Sequence, residues 1–151
     1  MALKALIIDD DSSMTELVGL LLRSYCMEII SCNSGEKGIE LVRTENPDII
    51  LLDLMMPGVD GWEVCRTLRT FTNIPIAILS ALDDPAIIST ALDAGADDYM
   101  VKPIPSSVLI AHINTLTRRH KAENNASALM QEPAPRPQTN QPQRQPKPLQ
   151  A

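Results

Sequence analysis

Aromatic side chains make up only 3% of this 151-residue chain: one Trp, two Tyr and one Phe. A core with so few rings must be built from Leu, Ile, Val, Met and Ala. Cysteine is also scarce. Cys26, Cys32 and Cys65 are too few and too scattered for a zinc site or a disulfide framework, and read as small apolar filler in a reducing compartment. No apolar run approaches the length that spans a bilayer. The N-terminal run in MALKALIIDDD is too short for a signal peptide and is followed at once by acids. The expected location is therefore cytoplasmic, with no membrane partner. Basic residues are in the minority, 13 against 19 acidic, for a net charge of -6. That balance argues against direct nucleic-acid binding.

What is present suits a globular protein. The hydrophobic fraction is 44% and the charged fraction 21%, both ordinary values, and the length allows one domain with a real core. The charge is uneven. Residues 1–120 carry 9 basic and 17 acidic side chains, whereas residues 121–151 carry 4 basic and 2 acidic.

Short apolar runs alternate with helical patterns. Leu3 to Ile8 reads as a strand that ends in Asp9, Asp10 and Asp11. Met14, Leu17, Val18, Leu21, Leu22 and Tyr25 then mark one helix face, with Ser13 and Glu16 as a capping box. Met27 to Ser31 reads as a strand. Asn33 caps a second helix, which Asn46-Pro47 stops near Glu45. Asp48 to Leu52 is an apolar strand ending at Asp53, followed by a loop from Met55 to Asp60. Trp62 to Thr70 reads as a helix and Pro75 to Leu79 as a strand ending at Ser80. Asp84-Pro85 opens a fourth helix. Tyr99 to Val101 is a short strand ending at Lys102-Pro103, and Leu109, Ile113 and Leu116 mark the last helix.

Strands that are apolar on both faces are buried on both faces, so the sheet is parallel with helices on each side. The expected fold is a doubly wound, flavodoxin-like α/β sandwich with five parallel strands in the order 2-1-3-4-5. The pattern ends near Lys121. Residues 131–151 hold six Pro and six Gln and too little apolar surface to offset the entropy of ordering. The expected organisation is a domain over 1–120 and a disordered Pro/Gln-rich tail or linker stub over 121–151.

In open parallel sheets, ligands bind outside the carboxyl ends of the strands. Asp9 and Asp10, Asp53, Ser80 and Lys102 each end an apolar run, so they converge on one rim. Any one of them alone is most simply a cap, a turn hydroxyl or a solvated lysine. Clustered carboxylates repel one another unless a cation neutralises them, and oxygen-only ligands select a hard cation such as Mg2+. A carboxylate held there is a credible nucleophile toward phosphorus, with Lys102 and Ser80 left to bind phosphoryl oxygens. Asp11 reads only as a helix cap.

Five stretches carry a resemblance: Leu6-Ile-Ile-Asp-Asp10, Pro47 to Gly58, Asp60-Gly61, Ile78-Leu-Ser-Ala81 and Ala94-Gly-Ala-Asp-Asp-Tyr-Met-Val-Lys-Pro103. As an ordered set they resemble the response-regulator receiver domains of two-component signalling, over about residues 3–120. The resemblance implies that Asp53 is the phosphoacceptor. It makes Asp10 and Asp53 direct Mg2+ ligands together with the backbone carbonyl of Met55, and Asp9 a ligand through a metal-bound water. Ser80 becomes the switch hydroxyl, Tyr99 the switch aromatic and Lys102 the phosphate contact, followed by a proline bond that is often cis in the family. Ala81 leaves room beside the phosphoryl group.

The implied partners are a sensor histidine kinase or histidine phosphotransfer protein and a downstream protein. The latter reads the face made by the fourth helix, fifth strand and fifth helix. The implied role is a phosphorylation switch that assists only its own phosphorylation and dephosphorylation, not an enzyme acting on others. The stretch from Ala94 to Lys102 looks most like receivers joined to winged-helix DNA-binding domains, and those usually pair through charges on that face. Here Ile88, Val108 and His112 stand where basic, acidic and arginine residues are usual. The expectation is a monomer or a weak phosphorylation-dependent dimer, with His112 facing solvent. Met55 and Leu82 flank the site as apolar groups expected to lengthen the phosphoryl lifetime.

Other classes fit less well. A haloacid-dehalogenase-type phosphatase would want an acid at the position of Met55. A flavin- or nucleotide-binding module would want a Gly- or Ser/Thr-rich loop after the first strand, where three aspartates stand. A receiver cut from a longer regulator stays open beside the stand-alone switch.

Overall fold

The computed structural model describes residues 2–130. In chain order the elements are β1 (Lys4–Ile8), α1 (Ser12–Arg23), β2 (Glu28–Cys32), α2 (Gly35–Glu45), β3 (Ile49–Leu52), β4 (Met55–Met56), β5 (Val59–Asp60), α3 (Gly61–Arg69), β6 (Ile76–Ser80), α4 (Pro85–Asp93), β7 (Asp98–Val101) and α5 (Ser106–Met130). Five strands form one parallel sheet in the order β2-β1-β3-β6-β7. That is the expected doubly wound order, and the added ribbon of β4 and β5 lies outside the sheet.

Alternation along each strand divides the core in two. Leu6 and Ile8, Ile50 and Leu52, and Ile76 and Ile78 pack with Val42 of α2, Val64 and Leu68 of α3 and Ala91 of α4. Ala5 and Ile7, Ile49 and Leu51, and Ala77 and Leu79 pack with Val18 and Leu22 of α1 and Leu109, Ile113 and Leu116 of α5. Register then fixes the rim. Ile8 pairs with Leu52 and Leu52 with Ile78, so Asp9 and Asp53 leave neighbouring strands at one level. Ser80 pairs with Val101 and stands one residue further out, with Lys102 just beyond.

Several local expectations are corrected. The N-cap of α1 is Asp11, whose side chain accepts from the backbone N–H of Ser13 and Met14, so the Ser13–Glu16 box does not form. Leu17 is exposed because the buried stripe of α1 is narrower than its apolar one, and Tyr25 is exposed in the turn beyond the end of α1 at Arg23. Ser34, not Asn33, caps α2. The Met55–Asp60 loop is a tight antiparallel ribbon pairing Met55 with Asp60 and Met56 with Val59. Pro57-Gly58 turns it, and Gly58 takes the positive φ of +75° that such a turn needs. Cys26 is exposed in the turn after α1, whereas Cys32 and Cys65 are buried. The chain stays helical past Lys121 to Met130. Ala122, Ala126 and Ala128 favour a helix there without any apolar periodicity. The remainder of the expected tail, 131–151, lies outside the described residues.

Candidate functional site

Backbone hydrogen bonds hold the rim together before any side chain acts. The Asp9 N–H donates to Cys32 O at 3.2 Å, Asp53 N–H to Ile8 O at 3.0 Å and Lys102 N–H to Ser80 O at 2.8 Å. Asn33 adds a tie: its side-chain amide donates to Asp9 O at 2.7 Å. Gly61 lets α3 start close behind the acceptor. A Cβ there would lie 2.6 Å from Leu54 Cα and 2.9 Å from Asp53 O. Asn33 reads from sequence as a cap, and the need for glycine at 61 is a contact between segments that no local pattern shows.

Asp9, Asp10 and Asp53 each present a carboxylate oxygen, and all three oxygens lie within 4.8 Å of one another. Asp9 and Asp53 are buried and Asp10 is exposed. Lys102 Nζ lies 3.0 Å from Asp9 Oδ2 and 3.7 Å from Asp53 Oδ2. Asp9 Oδ1 accepts the Asp11 N–H at 3.0 Å, and Asp53 Oδ1 accepts the Met55 N–H at 3.3 Å. Burial pushes the Asp53 carboxyl above its ordinary value. Lys102 and the Met55 N–H oppose that rise and Asp9 adds to it. Three carboxylates with one ammonium leave a site short of positive charge. Its donors are oxygens alone, the set that suits a hard divalent cation.

Ser80 is fully buried, and its Oγ accepts the Leu82 N–H at 3.2 Å. Leu82 O in turn accepts from the Tyr99 hydroxyl at 2.7 Å. One residue, Leu82, thus links Ser80 to Tyr99 through its two backbone groups. Burial pushes the Tyr99 phenol up, the neighbouring Ser80 hydroxyl opposes this, and the charges of Asp53 and Asp83 add to it. Ala81 and Met55 are exposed beside the cluster, and the Lys102–Pro103 bond is cis. His112 is not turned to solvent alone: its Nδ1 lies 2.5 Å from Asp98 Oδ2, joining α5 to β7. No described helix is long and apolar enough to cross a membrane.

Comparison with known proteins adds an independent line. Residues 5–114 match the family described as the response regulator receiver domain. The transcriptional regulatory protein AfsQ1 of Streptomyces coelicolor is 41% identical over 123 residues, covering 82% of this chain and 55% of its own. The DNA-binding response regulator MtrA of Mycolicibacterium smegmatis is 37% identical over 120 residues, covering 80% and 53%. The chain spans about half the length of these curated relatives. Among solved structures, the BeF3-activated N-terminal receiver domain of Klebsiella pneumoniae RstA superposes with a TM-score of 0.74 at 34% identity. That match covers 76% of this chain and 98% of that one. The Francisella response regulator 1452 receiver domain gives 0.73 at 33% identity, covering 78% and 98%.

Proposed function

Because the chain belongs to the response regulator receiver family, we propose that it is a switch whose Asp53 carboxylate accepts a phosphoryl group from a histidine kinase or a histidine phosphotransfer protein. The observation that carries this is the cluster of Asp9, Asp10 and Asp53 with Lys102 between two of its members.

In the transfer, an Asp53 oxygen attacks phosphorus, the P–N bond to the donor imidazole breaks, and the electron pair leaves on that nitrogen. Burial of Asp53 keeps water from competing for its oxygens. A hard divalent cation such as Mg2+, when bound, supplies charge neutralisation for the phosphoryl oxygens. Asp10, Asp53 and the Met55 carbonyl would hold it directly, and Asp9 through a water. Lys102 is one side-chain swing from a phosphoryl oxygen on Asp53, leaving its present contact with Asp9. Ala81 leaves the approach open.

The link through Leu82 carries the signal outward. A Ser80 hydroxyl drawn to a phosphoryl oxygen gives up the Leu82 N–H. The loop then shifts, the Leu82 carbonyl moves from the Tyr99 hydroxyl, and the ring turns into the vacated space. The face of α4, β7 and α5 changes with it, and a downstream protein reads a two-state population shift. The DNA-binding activity in the names of longer relatives belongs to those proteins. In this chain we assign output to protein contact, in the cytoplasm, as a monomer or weak phosphorylation-dependent dimer.

Borohydride reduction followed by peptide mapping tests the assignment. An acyl phosphate formed from a small-molecule phosphodonor should be reduced to homoserine at position 53 alone. Reduction at another carboxylate, with position 53 unchanged, would overturn it.

A further inference from the structure

Asparagine just before a helix has two common local uses, and Asn33 serves neither. It could cap the helix, but Ser34 does that, its hydroxyl accepting the Lys37 N–H at 3.2 Å. It could take the left-handed backbone conformation that asparagine tolerates. Among the described residues other than glycine, however, the positive φ values belong to Cys26 and Asn46. The Asn33 amide reaches another segment instead. Its Nδ2 donates to Asp9 O at 2.7 Å, across 24 residues of sequence.

Asp9 O is the carbonyl of the peptide that joins Asp9 to Asp10. The other side of Asp9 is held by the neighbouring residue of the same segment, since the Asp9 N–H donates to Cys32 O at 3.2 Å. Cys32 and Asn33 thus grip the backbone of Asp9 from both sides. Beyond Asp10 the chain is held again. The Asp11 N–H donates to Asp9 Oδ1 at 3.0 Å, and Asp11 caps α1. Asp10 stands between these anchored residues, exposed and without an ion pair among the described residues. Its backbone is what keeps its carboxylate with those of Asp9 and Asp53, their oxygens within 4.8 Å of one another, against the mutual repulsion of like charges.

We propose that Asn33 is a positioning residue for the cation site: its amide fixes the Asp9–Asp10 peptide and, through it, the direction of the Asp10 carboxylate. The inference rests on reading the three-carboxylate cluster as a cation site. A hydrogen bond of this kind orients a metal-binding group without touching the metal. Without it the peptide is free to rotate, the carboxylates spread apart, and a cation must gather them again.

The test is Mg2+ titration of the full chain, followed by amide resonances to saturation, for wild type and Asn33→Ala. Urea denaturation of both in chelator runs beside it. Ala suits the ordinary backbone of position 33, and the exposed Asn33 side chain can be removed without opening the core. Mg2+ affinity should fall roughly fivefold, the worth of one such hydrogen bond. In metal-free protein the amide nitrogen resonance of Asp10 should shift, because its peptide carbonyl has lost a donor, while the denaturation midpoint changes little. The same pair is then compared in an Asp10→Asn background. With the aimed charge gone, Asn33→Ala should have almost no further effect on Mg2+ affinity. Equal affinity of wild type and Asn33→Ala overturns the proposal. So does an equal loss in both backgrounds, which is what a merely structural tie would give. A wild type that binds no Mg2+ would overturn the cation-site reading, and this inference with it.

Discussion

The two ends of the sheet carry charge in opposite ways. At the amino ends of β6 and β7, Arg69 is held by four contacts. Its Nε donates to Gly95 O at 2.8 Å, and its Nη1 to Ile74 O at 2.8 Å and Thr72 O at 3.2 Å. Its Nη2 meets Asp97 Oδ2 at 2.5 Å. Asp97 also accepts the Ile76 N–H at 2.9 Å. At the carboxyl ends, Asp9 and Asp53 share Lys102, and Asp10 has no ion pair among the described residues. Matched charge holds the chain in place. Mismatched charge stores an affinity for what is missing, first a cation and then a phosphoryl group.

The largest effect should come from breaking the matched end. Arg69→Met leaves the Asp97 carboxylate with only the Ile76 N–H and removes the guanidinium from the carbonyls of Ile74 and Gly95, and should cost about 2 kcal/mol. Urea denaturation would read this, with little change in metal affinity.

A smaller effect of opposite sign belongs to the mismatched end. The folded Asp53 carboxyl titrates above its unfolded value. Its contribution to stability is therefore fully present below the ordinary carboxylate range and is lost as pH rises through the raised folded value. In metal-free solution, Asp53→Asn should remove that loss. The variant should match wild type near the ordinary carboxylate pKa of about 4 and exceed it at neutral pH. Denaturation midpoints across pH, in chelator, would sharpen the contrast. A variant less stable than wild type at pH 7 would contradict it.

The smallest change concerns only the lifetime of the phosphorylated state. Met55 is 58% exposed beside Asp53. An amide there can orient water toward the acyl phosphate, which a thioether cannot. Met55→Asn should shorten the half-life several-fold while leaving stability unchanged, as read by loss of phosphorylated mass after removal of donor.

The rim was legible because strand register is set by apolar runs, and each polar residue that ends a run falls on the same side. The fold followed from the same runs. Asn33 and Ser34 show where local reading stops. Both can cap a helix, and the choice is made by Asp9 O, which lies just past the end of β1 and takes the Asn33 amide. The Leu82 link, the need for Gly61 and the Arg69 clamp are likewise contacts between segments distant in sequence. The far end of α5 escaped for another reason: alanine favours a helix without leaving a periodic apolar trace.

Intact mass after incubation with acetyl phosphate tests the central claim most directly, comparing wild type with Asp53→Asn, each with and without Mg2+. The account predicts one added phosphoryl mass on wild type with Mg2+ and none in the other three samples. An adduct on Asp53→Asn equal to that of wild type would contradict it, as would wild type left unlabelled while a control receiver is labelled.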